Sequence, residues 1–332
     1  MWLNVDCQEQ KISILRRCRM SISLIMPAFN ASETIDAALD SLLTQIRQPD
    51  EIIVVDDGST DQTYADLQRR SADFKHLDFR IIRQDNSGDG SARNRGIREA
   101  RGDWLTFLDA DDVWYSNHLS QCLKLVKTYP QNHLFSMWFE VRDRNSQRRH
   151  IDTDTMLIHF PSLRKAFEEG DTVVLPPSSP GLLWACPIHI NTACVRRSAL
   201  NAIGAHFGHR PQGSDYMLWI WLFAHYGLVF RPVATSEYRF DKQKSSKRLA
   251  HAAADLIAHV EFLQARGVFD GVESQMGHAI ARHLLSMTRA YGRSASGAQA
   301  RFSAWNALKY APLSAASFRA LWIALKASLG SR

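Results

Sequence analysis

From Ser21 onward the hydrophobic positions fall into two alternating rhythms. Mostly apolar runs at Ile22–Met26, Ile52–Val55 and Leu105–Leu108, with a more polar one at Phe79–Arg83, read as strands of a buried sheet. Between them the apolar residues recur at helical spacing. Ile35, Ala38, Leu39, Leu42, Leu43 and Ile46 share one face, behind an Asn30/Glu33 pair with capping-box spacing. Leu119, Cys122, Leu123 and Val126 line a later helix that ends before Pro130. Strands and helices joined by such short links predict an α/β fold, Rossmann-like, with a mostly parallel central sheet covered on both faces.

Ligands of such sheets bind beyond the carboxyl ends of the strands. Pro27–Asn30, Asp56–Asp61, Asn86–Ser91 and Asp109–Asp112 follow the four predicted strands as polar, turn-forming loops, and all four open on that edge. Asp109, Asp111 and Asp112 place three carboxylates within four residues. Carboxylates so close raise one another's pKa unless a cation lies among them. An oxygen-preferring ion, Mg²⁺ or Mn²⁺, suits them and would in turn bind phosphates. The plainer alternative is a polar turn of three solvated acids, and the position after a buried strand favours the site.

Composition narrows the classes. The 332 residues are 45% hydrophobic and 22% charged, with a net charge of +6, which allows a sizeable core and favours anionic partners. Nucleic-acid binding needs a concentrated basic stripe, and the densest patch, Lys242–Arg248, has only four cations in seven residues. Five cysteines, odd in number and without C-x-x-C spacing, read as reduced thiols of a cytoplasmic protein. The charged N-terminus carries no secretory signal, and no run is long enough to span a bilayer. Met217–Phe230 comes nearest and reads as a core helix. Residues 1–19 are expected to be an extension outside the fold, with Met20 as an alternative start.

The ordered set of motifs carries a specific resemblance. Met26-Pro27-Ala28-Phe29-Asn30, Val54–Asp61, Asn86-Ser87-Gly88 with Ser91–Gly96, and Leu108–Asp112 resemble the nucleotide-sugar-binding half of the family 2 glycosyltransferases, which have the GT-A fold. Asn191–Arg197, Gly213–Trp219 and Tyr238-Arg239 extend the likeness over roughly residues 21 to 246. The resemblance implies a nucleotide-sugar-binding half over 20–130, an acceptor-binding half over 131–248 and a helical region over 249–332. It also implies an inverting enzyme that moves one sugar from a nucleoside diphosphate donor, UDP-linked, to a glycan or lipid-linked acceptor in cell-envelope polysaccharide synthesis. Absence of a Q-x-x-R-W motif argues against a processive synthase.

By that resemblance Pro27, Ala28, Asn30 and Glu33 belong to the donor site, with Asp57, Asn86 and Arg93 near base and ribose. A carboxylate can accept an imide N–H, and a guanidinium can stack on the ring. Asp109 and Ala110 would lie by the ribose, and Asp111 would ligate the metal with Asp112 as second ligand or support. Read alone, Asp57 caps a turn, Asn86 makes an Asx-turn and Arg93 is a surface cation. Arg239, Lys242 and Ser245 would close over the diphosphate, although Phe240 stands where the family often has His. Asp215 matches the family's general base, with Ser214 before it where Glu is frequent. Its place at a helix start has a simpler reading, dipole stabilisation of a carboxylate. Trp184, His189 and Asn191 are the acceptor-side candidates.

Two rivals stand beside this reading. A nucleotidyltransferase would carry a Gly-rich, cationic loop after the first strand, and Pro27–Asn30 is not one. A non-catalytic sugar-nucleotide or glycan-binding module would not need Asp215 beside Asp109 and Asp111. The stretch from Asn306 to Leu329 mixes Trp, Phe and Leu with Lys309, Arg319 and Lys326. Three roles are open to it: packing on the catalytic domain, forming a homo-oligomer, or lying peripherally on the inner face of the plasma membrane.

Overall fold

The computed structural model describes residues 20–143, 148–149, 157, 160–177, 186–204, 206–207, 214–240, 252–268, 270, 273–293, 297–312 and 314–329. The first half alternates β1 (Ile22–Ala28), α1 (Ile35–Leu43), β2 (Glu51–Asp56), α2 (Thr63–Arg70), β3 (Asp78–Arg83), α3 (Asp89–Glu99) and β4 (Trp104–Phe107). Then come β5 (Val113–Trp114), α4 (His118–Thr128), β6 (Leu134–Asp143), β7 (Arg148–Arg149), α5 (Pro161–Glu169) and β8 (Val173–Leu175). The chain continues through β9 (Ala193–Arg196), α6 (Arg197–Ala202), α7 (Ser214–Tyr226) and β10 (Leu228–Phe240). Four helices follow: α8 (Ala252–Gln264), α9 (Glu273–Arg293), α10 (Gly297–Tyr310) and α11 (Ala315–Leu329).

One ten-stranded sheet runs β3-β2-β1-β4-β9-β6-β10-β5, with β7 on β6 and β8 on β10. The β3-β2-β1-β4 block is wholly parallel, in a register that sets Met26 beside Val54 and Ile25 beside Phe107. β1, β2 and β4 are buried throughout, as strands covered on both faces must be, whereas β3 at the edge is only half-buried. Beyond β4 the sheet becomes mixed. β9 runs antiparallel to both β4 and β6, and β10 is parallel to β6.

Three local expectations shift. Helix α1 begins at Ile35 without a side-chain cap, because the Asn30 side-chain oxygen Oδ1 is taken by the Thr60 N–H at 2.9 Å. Its buried face is Ile35, Ala38, Leu39 and Leu42, and Ile46 lies past the helix end, exposed. In α4 it is Leu125, not Leu123, that joins Leu119, Cys122 and Val126 in the core. The Met217–Phe230 stretch is divided by Gly227, at φ 68, into the end of α7 and the start of β10. An added Cβ at Gly227 would sit 2.4 Å from the Leu175 carbonyl oxygen, so the turn that ends the helix needs glycine.

Two cores flank the sheet. One gathers α1, α4 and one face of β1, β2 and β4 around Leu24, Leu39, Val54 and Leu119. The other begins at Ile25, Ile53 and Phe107, takes in α7 and continues into the C-terminal helices through Val260, Leu284 and Ala304. Helix α7 is buried around its whole circumference, with Met217, Leu218, Trp219, Ile220, Trp221, Leu222 and Phe223 all in the core.

Gly58 makes a sharp test of loop geometry. It sits at φ 74, and a Cβ there would lie 2.8 Å from the backbone nitrogen of Asn86. Gly58→Ala is therefore expected to cost about 2 kcal/mol of stability, read as a lowered urea midpoint, because backbone rather than a yielding side chain must move.

Candidate active site

The four loops at the carboxyl edge are tied to one another in series. Asp57 N–H donates to the Ala28 carbonyl at 2.8 Å, and Asn30 N–H donates to Ser59 Oγ at 3.0 Å. Ala31 N–H reaches Thr63 Oγ1 at 2.7 Å. These bonds lock the first loop onto the second. The buried Asp57 carboxylate then holds the third loop, accepting from Gln84 Nε2 at 2.7 Å, Ser87 N–H at 3.0 Å and Gly88 N–H at 2.8 Å. Three donors on one carboxylate give Asp57 a clear architectural task. Asn86 and Glu33 are exposed on this edge, while Pro27 and Ala28 are buried in β1.

Arg93 joins the third loop to the fourth. It stands one turn into α3, only 3% exposed, with Asp89 Oδ2 at 2.9 Å and Asp109 Oδ1 at 2.7 Å. The Phe207 ring lies 5.3 Å from its guanidinium carbon. Burial works against its charge, and Asp109, Asp89 and Asp215 more than restore it, so the guanidinium is held firmly protonated. The surface-cation alternative for Arg93 fails on this burial. Close helix–strand packing makes the placement possible: a Cβ on Gly96 would lie 2.4 Å from Ile25 Cγ2.

The acidic loop is organised by a residue far away in sequence. Asn191 is fully buried; its Oδ1 accepts the Asp109 N–H at 3.0 Å and its Nδ2 donates to Asp112 Oδ2 at 2.5 Å. The other oxygen of Asp112 accepts the Arg239 N–H at 2.6 Å. Asn191 thus departs from the acceptor-side expectation: both ends of its amide are spent inside the protein. Asp112 is 1% exposed, and burial, together with the charges of Asp111 and Asp109, pushes its carboxyl well above the usual range. Asp109 and Asp111 are half-buried, and Ala110 between them is buried.

One carboxylate oxygen from each of Asp109, Asp111 and Asp112 lies within 4.8 Å of the others. Three hard oxygen donors gathered this closely fit Mg²⁺ or Mn²⁺ and no soft metal.

Asp215 opens α7 and faces the same groups. Burial raises its carboxyl, Arg93 opposes that shift, and the charges of Asp89 and Asp109 add to it. A residue 106 positions past Asp109 is thereby brought within electrostatic reach of the first-half cluster. His189 lies beside them, stacked on Phe139 at 4.1 Å and tilted against Tyr238 at 5.1 Å. Burial lowers its pKa to about 4, with Arg93 adding to that and Asp109 opposing it, so the ring is neutral and its Nδ1 accepts from Asn191 N–H at 3.3 Å. Arg239 turns its side chain to Glu237 at 3.1 Å. Trp184, Lys242 and Ser245 lie outside the described residues.

The sequence model described as "Glycosyl transferase family 2" matches residues 23–181. Residues 23–181 are a family 2 glycosyl transferase domain. The family 2 segment carries all four loops, whereas Asn191, Asp215 and Arg239 come from the chain beyond it. An Escherichia coli protein named UDP-Glc:alpha-D-GlcNAc-diphosphoundecaprenol beta-1,3-glucosyltransferase WfgD is 27% identical over 202 residues, covering 60% of this chain and 68% of that one. The amylovoran biosynthesis glycosyltransferase AmsB of Erwinia amylovora is 38% identical over 109 residues, or 32% of this chain and 36% of its own. Against an uncharacterized Rickettsia bellii glycosyltransferase, 26% identical over 69% of this chain, the match spans 31% of the relative. This chain thus spans about a third of the length of several relatives it matches. Staphylococcus aureus TarS residues 1–349, solved with UDP-GlcNAc, superimpose with a TM-score of 0.53 at 17% identity, covering 88% of this chain and 89% of that one. The family 2 domain therefore sits in the same α/β architecture, curled mixed sheet and helical C-terminal region included.

Sequence reasoning passed over Asp89, Phe207 and the bridging role of Asn191. The Asp89–Arg93 spacing of four on one helix was a readable signal. Phe207 and Asn191 had none, because their partners lie about a hundred residues away.

Proposed function

We propose that this chain is an inverting glycosyltransferase, moving one sugar from a UDP-sugar to a hydroxyl of a glycan or lipid-linked acceptor. The observation that carries the reading is Asp215 set against Arg93 and Asp109 at the edge where the acidic loop lies. One carboxylate on the face opposite the leaving group is what single displacement at an anomeric carbon requires. Asp215 takes the acceptor hydroxyl proton as the new C–O bond forms and the nucleoside diphosphate departs. Arg93 holds Asp109 in place and faces the donor with its positive charge. Asp57 shapes the nucleotide edge by fixing the third loop, and Asn86, Asn30 and Glu33 are the groups of that edge left towards solvent.

Asp109 and Asp111 would hold Mg²⁺ or Mn²⁺, with Asp112 behind them, and the ion would neutralise charge on the leaving diphosphate. His189, neutral and flanked by Phe139 and Tyr238, offers a flat surface on the acceptor side. The relatives named for polyprenol-linked and exopolysaccharide glycosylation support a cell-envelope setting. We place the reaction on the cytoplasmic side of the membrane, where nucleotide sugars are made. Among the described residues no helix is long and apolar enough to cross a membrane.

The test is direct. Incubation with a panel of UDP-, GDP- and dTDP-sugars, Mn²⁺ and lipid-linked or free glycan acceptors is expected to release the nucleoside diphosphate and yield a product of inverted configuration. Pyrophosphate release would instead identify a nucleotidyltransferase, and tight donor binding without any product would identify a binding module.

Asn191→Ala provides a second check. It leaves a buried oxygen of Asp112 unsatisfied and frees the Asp109 backbone, so Mn²⁺ affinity measured by calorimetry is expected to fall about 10- to 100-fold. An unchanged affinity would remove Asn191 from the support of the metal site.

A further inference from the structure

The C-terminal helices carry an arrangement that the transfer reaction does not use. After Glu273 the chain contains no Asp or Glu to its end at Arg332, while it contains eight cations: Arg282, Arg289, Arg293, Arg301, Lys309, Arg319, Lys326 and Arg332. A formal net charge of +6 for the whole chain is thus exceeded by this one stretch. The second observation is a reversal of ordinary helix polarity. Helices α10 and α11 bury small residues, Ala300, Ser303, Ala304 and Ala307 on one and Ser317, Ala320 and Ala324 on the other. Five of their large apolar side chains point outward, while Tyr310 and Ile323 pack inward: Phe302 is 47% exposed, Trp305 71%, Phe318 57%, Leu321 36% and Trp322 61%.

The small buried residues are firmly seated. Ser317 Oγ lies 2.7 Å from the carbonyl oxygens of Ala307 and Ala311, and Ser303 Oγ donates to the Leu284 carbonyl at 2.7 Å. The outward aromatics are therefore not core residues waiting for a small rotation. Water is a poor solvent for these side chains, and five large apolar groups exposed on two helices that pack together are the kind of surface that marks an interaction site. Arg301 and Arg319 are exposed next to Phe302 and Phe318, and Lys309, exposed too, pairs with Glu261 at 3.2 Å.

We propose that the outer faces of α10 and α11 dock this protein onto an anionic phospholipid surface. Tryptophan and phenylalanine seat at the boundary between headgroups and acyl chains, and interleaved cations meet lipid phosphates. A stretch without a single acid complements a negative bilayer, and it would repel a second copy of itself. The inference stands apart from the reaction assigned above, since it needs neither donor nor turnover.

The experiment is sedimentation of the 332-residue chain with vesicles of phosphatidylcholine alone or containing about 30% phosphatidylglycerol. Pelleting with the anionic vesicles is expected, weakened by raising salt from about 0.1 to about 0.5 M. Trp305→Ala combined with Trp322→Ala is expected to lower the partition coefficient about tenfold or more. Arg301→Glu with Arg319→Glu is expected to abolish the preference for phosphatidylglycerol. Both variants should keep the thermal midpoint and UDP-sugar binding of the parent, which separates this result from any failure of the enzyme reading. Equal pelleting with both vesicle types, or none with either, overturns the proposal. So does a concentration-dependent dimer that the two Trp substitutions dissolve, since the face would then belong to a second copy.

Discussion

Asp215→Asn is expected to lower sugar transfer about 100- to 10,000-fold while leaving UDP-sugar affinity within a few-fold of the parent. The substitution removes the proton acceptor and keeps the shape of the side chain, so the loss should appear in kcat and not in donor KM. The pH profile supplies an independent signature. Burial raises the Asp215 carboxyl, and Arg93 only partly offsets this. The base is active when ionised, so kcat/KM falls as pH drops through its pKa. That acid limb should lie above the usual aspartate range near ~4. Stability runs the other way. A carboxyl whose pKa is raised by folding is most at ease protonated, and it costs stability once pH exceeds its unfolded value. Asp215→Asn should therefore leave the thermal midpoint at pH 8 equal to or above that of the parent. Near-normal turnover would remove Asp215 from the mechanism, whatever the stability.

Asp111→Asn is the second large effect. Transfer is expected to fall about a hundredfold or more, in step with chelation of the parent by EDTA, and to recover in part with excess Mn²⁺. Turnover that survives chelation would refute the metal role. The sequence left open whether Asp112 is a second ligand or a support, and the surroundings of the two residues differ. Asp111 is half-buried at the open edge, whereas both oxygens of Asp112 are engaged by Asn191 and the Arg239 backbone. Asp112→Asn would turn an amide N–H₂ towards one of those donors. Its expected signature is a loss of about 1–3 kcal/mol in stability alongside the loss of activity, and no rescue by Mn²⁺.

Much of the first half of the fold was legible in the chain because its information is local. Ile22–Met26, Ile52–Val55 and Leu105–Leu108 are apolar runs interrupted only by Ser23 and Thr106, and a strand buried on both faces leaves that trace. The polar loops after them could be assigned to one edge because parallel strands joined by right-handed crossovers place their carboxyl ends together. Where the reading slipped, a distant partner had overruled a local rule. Asn30 has the spacing of a helix cap, yet its side chain bonds Thr60 across the loop. Met217–Phe230 has the composition of one helix, yet Gly227 bends it into a strand beside β8.

What the sequence by itself determined is the parallel block, its loop edge and the kind of chemistry three adjacent aspartates can support. The tertiary structure alone decided which groups meet. Asn191 reaches Asp109 and Asp112, Phe207 covers Arg93, and Asp215 comes to face them only because β9 pairs antiparallel with β4 and α7 packs beneath the sheet. Hydrophobic periodicity records which face of an element is buried, and it carries no record of the element lying against that face. Such pairings are set by the packing of the whole core, so the functions of Asn191 and the outward tryptophans of α10 and α11 could be read only once the chain was folded.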